Sequence, residues 1–452
     1  MSAPRSRPAR LLAVAIAAAA GGVLAHTLSR PFVPDRPAAL VLPYPHHIPK
    51  TPGGVSLRFA MVQDVLHERF DRHGPAYYAE RNRRARAELA SLQPGDRWDS
   101  LSDDLGAGLD RLGDDDEAVR VLRAKLASQT ARGVTGRGLY TTYANLGTFL
   151  IHGSFRAAQA GDAAAKERLY EGHGYIRKAI EVKPDAHFGR EQWQAAAVEF
   201  LVVAIVDRKL LRKFDLIGNR LDAEIDPSER RAFFRVMPAD SGVPDIRDAW
   251  VNWGEARRTA YGLRAGNIAP EDASSYRRYI TQVGAEEGWP ANLIISHPKP
   301  IPFDEPVLGL IGMWRQGGGA SPHFALCLGE TMLRVGQRYL AWSAFERASR
   351  LADRYWPDTD LQQFLRDHCR KRQQMIEQRL PPDEVAELRP RFDAELEYGR
   401  RYQREYQQYE ADQIVQGRSI EDEHFYDAFH AGRKPIASPV GPEDELRVIS
   451  ET

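Results

Sequence analysis

Three stretches of this chain place small residues at matching relative positions, and that spacing limits the fold more than any other feature. In FALCLGETMLRVGQRYLAWSAFERASRLADRYW, Leu328-Gly329 is followed by Gly336, then by Ala341, Phe345 and Ala348. In DDLGAGLDRLGDDDEAVRVLRAKL, Leu105-Gly106 is followed by Gly113, then by Ala118 and Leu122. The step from Gly106 to Ala118 is twelve residues, as is that from Gly329 to Ala341, and both continue four residues on to a large apolar side chain. A third copy is split. YANLGTFLIHG supplies Leu146-Gly147, and EGHGYIRKAIEVKPDA supplies Gly172, Ile176, Ala179 and the closing Pro184. Its step from Gly147 to Gly172 is twenty-five residues, so about thirteen extra residues near 154–166 lengthen the hairpin.

The residues around these positions are Ala, Leu, Arg, Glu and Gln, all good helix formers. Leu105, Leu109 and Leu112 share one helical face, as do Val119, Leu122 and Leu126. No set of alternating strands with hairpin turns accompanies them, so the body is read as all-α. Self-similarity at this period is the mark of stacked helical hairpins. The pattern resembles the tetratricopeptide repeat, in which small residues let two antiparallel helices pack closely and a large side chain plugs the seam. It departs from that family in two respects. Only Pro184 closes a repeat as expected, and Lys125 stands where a small residue belongs. The copies are also unevenly spaced, 41 residues from Gly106 to Gly147 and far more from Gly147 to Gly329, which predicts two repeat-bearing lobes instead of a regular superhelix.

The resemblance implies a concave groove lined by the first helix of each hairpin. Its positions here are Ser100, Asp103, Ala107, Asp110 and Arg111, then Thr141, Ala144, Thr148, Ile151 and His152, then His323, Leu326, Glu330, Leu333 and Arg334. The best-known groove of the family clamps a peptide's terminal carboxylate with Lys and Asn. Asn145 lies beside this face but no lysine is on it, so that clamp is not carried over. A mixed polar groove suits a peptide or helix segment held by several weak contacts.

Around the repeats the chain divides by composition. Arg5, Arg7 and Arg10 precede an uncharged run at 11–25, the pattern of an export signal cut after Ala25 or of a short retained anchor, within a leader at 1–28. A proline-rich linker follows at 29–54, semi-rigid and incapable of helix. Residues 55–236 form the N-terminal lobe with two hairpins, and the seven-residue apolar run at 200–206 reads as buried core. The connecting segment 237–322 is rich in Gly, Pro and Trp. Helices are predicted in it near 246–262 and 271–284, and its last part, from Pro290, is expected to lie across the second lobe. The C-terminal hairpin and following helices occupy 323–388. A polar helix with Tyr398, Tyr402, Tyr406 and Tyr409 on one face follows within 389–430, its tyrosines predicted to pack on the body, and a loose tail covers 431–452.

Lys plus Arg and Asp plus Glu both number 62, so the formal charge is zero and the basic excess of a nucleic-acid binder is missing. Only ten of those basic residues are lysines, and arginine suits bidentate contacts with carboxylates. In VLHERFDRHG, His67 and His73 are six residues apart, about 120° around a helix, which does not chelate a metal as two histidines four apart do. GMWRQGGGASPH lacks the Gly-Lys-Ser/Thr ending of a phosphate loop, and no Gly-x-Ser-x-Gly occurs. The acids of EDEHFYDAFH are consecutive and read as a solvated turn. Cys327 and Cys369 are open to two readings, a disulfide or two buried thiols. No metal and no cofactor are expected.

The sequence thus predicts an exported, membrane-associated helical-repeat scaffold for a protein or peptide partner, without nucleic acid and without catalysis. The alternative is an enzyme or carbohydrate-binding protein with Trp250, Trp253, Trp289 and Trp314 lining a site in 245–320. Asp304 and Glu305 are the nearest carboxylate pair such an enzyme could use.

Overall fold

The structure, a computed structural model, describes residues 59–183, 190–206, 208–217, 219, 221, 304–316, 319–334 and 337–431. The leader, the proline-rich linker, the helices predicted near 246–262 and 271–284, Pro184, Gly336 and the tail from 432 lie outside the described residues. The first half consists of α1 (Phe59–Leu66), α2 (Pro75–Leu89), α3 (Asp96–Arg111), α4 (Asp115–Ala131), α5 (Tyr140–Gln159), α6 (Ala163–Val182) and α7 (Arg190–Val206). The second consists of α8 (Asp304–Gln316), α9 (Pro322–Arg334), α10 (Arg338–Arg350), α11 (Thr359–Glu377), α12 (Pro382–Val415) and the single turn α13 (Asp427–His430). Among the described residues there is no strand, in keeping with the all-α reading.

Helix ends follow the local sequence. Asp115, Asp116 and Glu117 open α4, where carboxylates oppose the positive end of the helix dipole. Gly113, with φ of +81°, makes the left-handed turn between α3 and α4. Gly161, with φ of +100°, does the same between α5 and α6, where the Asp162 side chain caps α6 by accepting from the Ala165 N–H at 3.0 Å. The extra residues of the split copy do not form a loop. They lengthen both helices, so α5 and α6 run to 20 residues each.

The small residues sit at the seams. A Cβ at Gly106 would overlap Leu122 and touch the Phe149 ring, and one at Gly329 would come within 2.7 Å of the Phe345 ring. Gly147 and Gly172 face each other, each packed on the other's carbonyl oxygen, with Ile176 against the first and Leu150 and Ile151 against the second. Those pairings run in opposite directions along α5 and α6, as an antiparallel hairpin requires. Ala118, Ala179, Ala341 and Ala348 are fully buried on the second helices.

Two principal apolar clusters result. The smaller joins α2 to α5 through Ala85, Leu101, Leu105, Leu109, Leu122, Leu146 and Phe149. The larger draws on both halves of the chain, from Ile151, Leu169 and Ile176 through Trp193 and Phe200 to Trp314, Leu328, Phe345 and Leu396. The apolar run at 200–206 belongs to it, with Phe200, Val202 and Ala204 buried.

The placement of α8 differs from the expectation that its segment lies across the second lobe. It packs chiefly on α7 and α1, with Gly309 letting Trp193 approach to 2.9 Å of where a Cβ would be. The reason is that Val307, Leu308, Leu310, Ile311 and Trp314 are buried, so this helix is a core element and not a covering strap. α12 then runs back to α2, bringing the C-terminal part against the N-terminal one. Its Tyr402 and Tyr406 are buried against Phe429, and Tyr409 donates to the Phe425 carbonyl at 2.6 Å, while Tyr398 stays exposed. No helix among the described residues is long and apolar enough to cross a membrane.

Candidate functional site

On α3, Asp99, Asp103 and Asp110 follow at steps of four and seven, which aligns them along one face of the helix. The last two carboxylates each meet a partner from the next hairpin. Asn145 Nδ2 of α5 donates to Asp103 Oδ1 at 3.2 Å, and His152 Nδ1 donates to Asp110 Oδ1 at 2.7 Å. Both pairs join residues 42 apart, one more than the step between the seam glycines Gly106 and Gly147, so the second hairpin nearly repeats the register of the first. The series continues to α7, whose Gln194 Nε2 donates to Thr148 Oγ1 at 2.9 Å. At the other end, Arg132 reaches both Asp99 oxygens at 2.7 Å, and Gln129 links Asp99 to Thr142. Asp103, Asp110, Asn145, Thr148 and His152 are half-buried, as is Arg111 at the end of α3, and Ser100 and Thr141 are exposed. The predicted groove positions of the first two units are therefore brought together as one polar band.

Lys125 brings a lysine to this face. It is buried on α4, yet its Nζ lies 2.5 Å from Asp103 Oδ2 and 3.4 Å from Thr141 Oγ1. A long stem crosses the seam where a small residue was expected and delivers its charge to the α3 face. Lys125 and Asn145 thus hold the Asp103 carboxylate between them. Farther along, His152 and two acids are coupled. Burial works against a charged His152, but the hydrogen bond and charge of Asp110 outweigh it and raise the imidazole above its ordinary value. Burial and the Asp110 charge push Asp115 up to about 6.

The third unit is different. His323 is buried and donates from Nε2 to the Tyr355 carbonyl at 2.9 Å, and burial lowers its imidazole to about 4. Glu330, 0% exposed, accepts from His368 Nε2 at 2.7 Å and from Arg372 Nε at 2.9 Å, while Arg372 also donates to the Leu221 carbonyl at 3.2 Å. The groove assignment of His323 and Glu330 is therefore corrected. The segment through Leu221 and helices α10 and α11 enclose α9, so Leu326 and Leu333 are buried as well. Arg334 ends α9, and its side chain lies outside the described residues.

A further concentration of charge was not legible in the sequence. Past the end of α1, Glu68 adopts φ of +57°, a left-handed conformation disfavoured for a residue with a Cβ. Its buried carboxylate accepts from Arg347 Nη2 at 2.7 Å and from Trp314 Nε1 at 3.4 Å, with Arg72 at 3.3 Å. The loop backbone is fixed by Gln403 of α12, which donates to the Glu68 and Phe70 carbonyls at 3.0 and 3.2 Å. A Cβ at Gly399 would overlap the His67 carbonyl oxygen, so α12 needs glycine at that crossing. His67 is buried and donates to the Gln63 carbonyl at 2.8 Å, while His73 turns to Glu410. The two histidines therefore serve different partners. Residues that meet across 246 to 337 positions leave no short-range signal, and only the run of charged residues at 67–73 marks the place.

Trp314 lies in the core, and Trp250, Trp253 and Trp289 lie outside the described residues, as does all of 245–303. Cys327 and Cys369 are free and buried, and burial pushes both thiols up. In the turn at 421–430 the acids are exposed while Phe425 and Phe429 anchor it. Compared with known proteins, the chain matches no family model, no curated protein and no solved structure.

Proposed function

We propose that this protein is a non-enzymatic scaffold of tetratricopeptide-like hairpins that holds a protein partner along the band formed by α3, α5 and α7. The observation that carries the reading is the repeated register of Asp103–Asn145 and Asp110–His152 on a half-exposed face. The Asp103, Asp110 and His152 side chains are 19%, 8% and 28% exposed, so a partner can reach their polar atoms from the open side of the band. A partner carboxylate that displaces Asp103 meets Lys125 and Asn145, and a basic partner side chain meets Asp110 and Asp115. In this reading the basic leader and its uncharged run carry the body out of the cytoplasm and keep it at the membrane.

Site-specific photocrosslinking in the native membrane tests it. A benzophenone side chain at Thr141 or Ser100 is expected to capture one discrete partner. The same group at Arg120, on the exposed side of α4, is expected to capture none. Equal adducts from all positions, or loss of none of them in Asp110→Ala, defeat the proposal.

A further inference from the structure

A cavity of about 350 Å³ opens between α2, α3 and the turn at 420–421, away from the polar band, and the inference drawn from it does not rest on the scaffold reading. Its floor is apolar, with Ala85, Leu101 and Ile420. One wall is aromatic. The rings of His73 and Tyr77 stack with centroids 3.8 Å apart and planes within 8°.

His73 is held by a buried carboxylate. Its Nδ1 lies 2.5 Å from Oε1 of Glu410, which is 0% exposed. Glu410 also accepts from Tyr426 Oη at 2.8 Å and from the Gly74 N–H at 2.7 Å. Glu410 holds the ring through Nδ1, and Nε2 has no partner among the described residues. A carboxylate behind a half-exposed imidazole also fixes the ring's orientation.

The remaining wall is rich in unused donors. Arg81 gives Nη2 to Asp104, and Arg84 gives Nε to Glu80 at 2.7 Å and Nη1 to Ser419 at 2.8 Å. Arg81 Nε and Nη1, Arg84 Nη2 and the Tyr77 hydroxyl have no partner among the described residues. Three acids border the cavity, but none is a fixed obstacle to an anion. Glu88 is neutralised by a fork from Arg97 at 2.7 and 2.9 Å. The side chains of Asp104 and Glu421 are 41% and 71% exposed, so their pairings with Arg81 and Arg84 are screened by water and readily exchanged.

We propose that this cavity binds a small hydroxylated oxyanion, of the sugar phosphate or sugar acid class, with the oxyanion on Arg81 and Arg84 and a hydroxyl hydrogen-bonded to His73 Nε2. The volume suits one such molecule, being at the lower end of the range for small-ligand sites. Guanidinium groups recognise planar or tetrahedral oxyanions through paired N–H donors. A hydroxyl partner for Nε2 adds a requirement that a bare anion does not meet.

The test is titration calorimetry of the full chain with glucose 6-phosphate, glucuronate, inorganic phosphate and glucose. Glucose 6-phosphate or glucuronate is expected to bind, phosphate more weakly and glucose not at all, and the stronger of the first two names the anion. His73→Gln and Arg84→Gln are each expected to weaken that binding by about tenfold or more. Because either variant could fold poorly, the unaltered chain gives a second readout. Modification of His73 by diethyl pyrocarbonate, followed by peptide mass spectrometry, should be slowed by the bound probe and unaffected by glucose. No binding of either hydroxylated anion at millimolar concentration overturns the proposal. So does phosphate binding as tightly as glucose 6-phosphate, which marks an adventitious ion only, or binding that leaves His73 unprotected.

Discussion

The hairpins α3–α4 and α9–α10 are built on one seam and end in opposite surroundings. Gly106 packs on Leu122 and Gly329 on Phe345, at the same offset from the first helix to the second. Around α3 the charged positions remain half-exposed and pair with the next hairpin, as Asp110 does with His152. Around α9 the matching positions are enclosed, and Glu330 is wholly buried with His368 and Arg372. Spacing within a hairpin fixes how its own two helices meet. Whether its outward residues reach solvent is decided by what packs on it from outside, here α11 and the sequence-distant segment through Leu221.

Removing a carboxylate separates the two cases most strongly. Glu330→Ala leaves Arg372 and His368 facing each other in the core without a counter-charge, and is expected to cost about 3–5 kcal/mol in denaturant unfolding. The two regions should also respond to pH with opposite signs. His323 is held neutral, its folded value of about 4 lying below the unfolded one, so its contribution is present above about 6.5 and is lost as pH falls toward 4. The loss amounts to about 3 kcal/mol, and His323→Gln, which keeps a donor for the Tyr355 carbonyl, should flatten it. His152 and Asp115 are both raised. Asp115 contributes below its unfolded value and loses that as pH rises through about 6, and His152 loses its share above the ordinary histidine range. Unfolding of His152→Asn across pH 5 to 9 should show that second slope removed.

The seams themselves differ in give. Gly329→Ala presses on a whole Phe345 ring and is expected to cost about 2 kcal/mol, against about 1 for Gly106→Ala, where a Leu122 methyl can rotate away. Equal losses in thermal melts would mean that the two seams are equally rigid. The smallest effect is expected from Glu171→Ala, within about 1 kcal/mol, because its pair with Arg123 between α4 and α6 is exposed.

Helical class and seam residues were legible because they depend on spacing inside one hairpin. The polar band was legible in part. Register places Asp103, Asp110, Asn145, Thr148 and His152 on neighbouring faces, but it does not reveal the role of Lys125, whose reach across the seam depends on a long side chain and not on helix position. Glu330 and His323 were misplaced for the opposite reason, since the groove rule says nothing of what covers α9. Glu68, with Arg347 and Trp314, and His73 with Glu410 required contacts over hundreds of residues, which periodicity does not encode.

The return of α12 to α1 has a consequence for how this chain comes off the ribosome. The buried side chains Val62, Val65 and Leu66 of α1 find their cover in α8, α10 and α12, and Gln63 donates to Glu395 at 2.7 Å. Synthesis proceeds at about 5–20 residues per second, so an apolar helix made at the start waits on the order of tens of seconds for its last neighbour. During that interval the smaller cluster of α2 to α5 has all its members, while α1 is without its cover. The chain is therefore one whose early product needs shelter until its late product arrives.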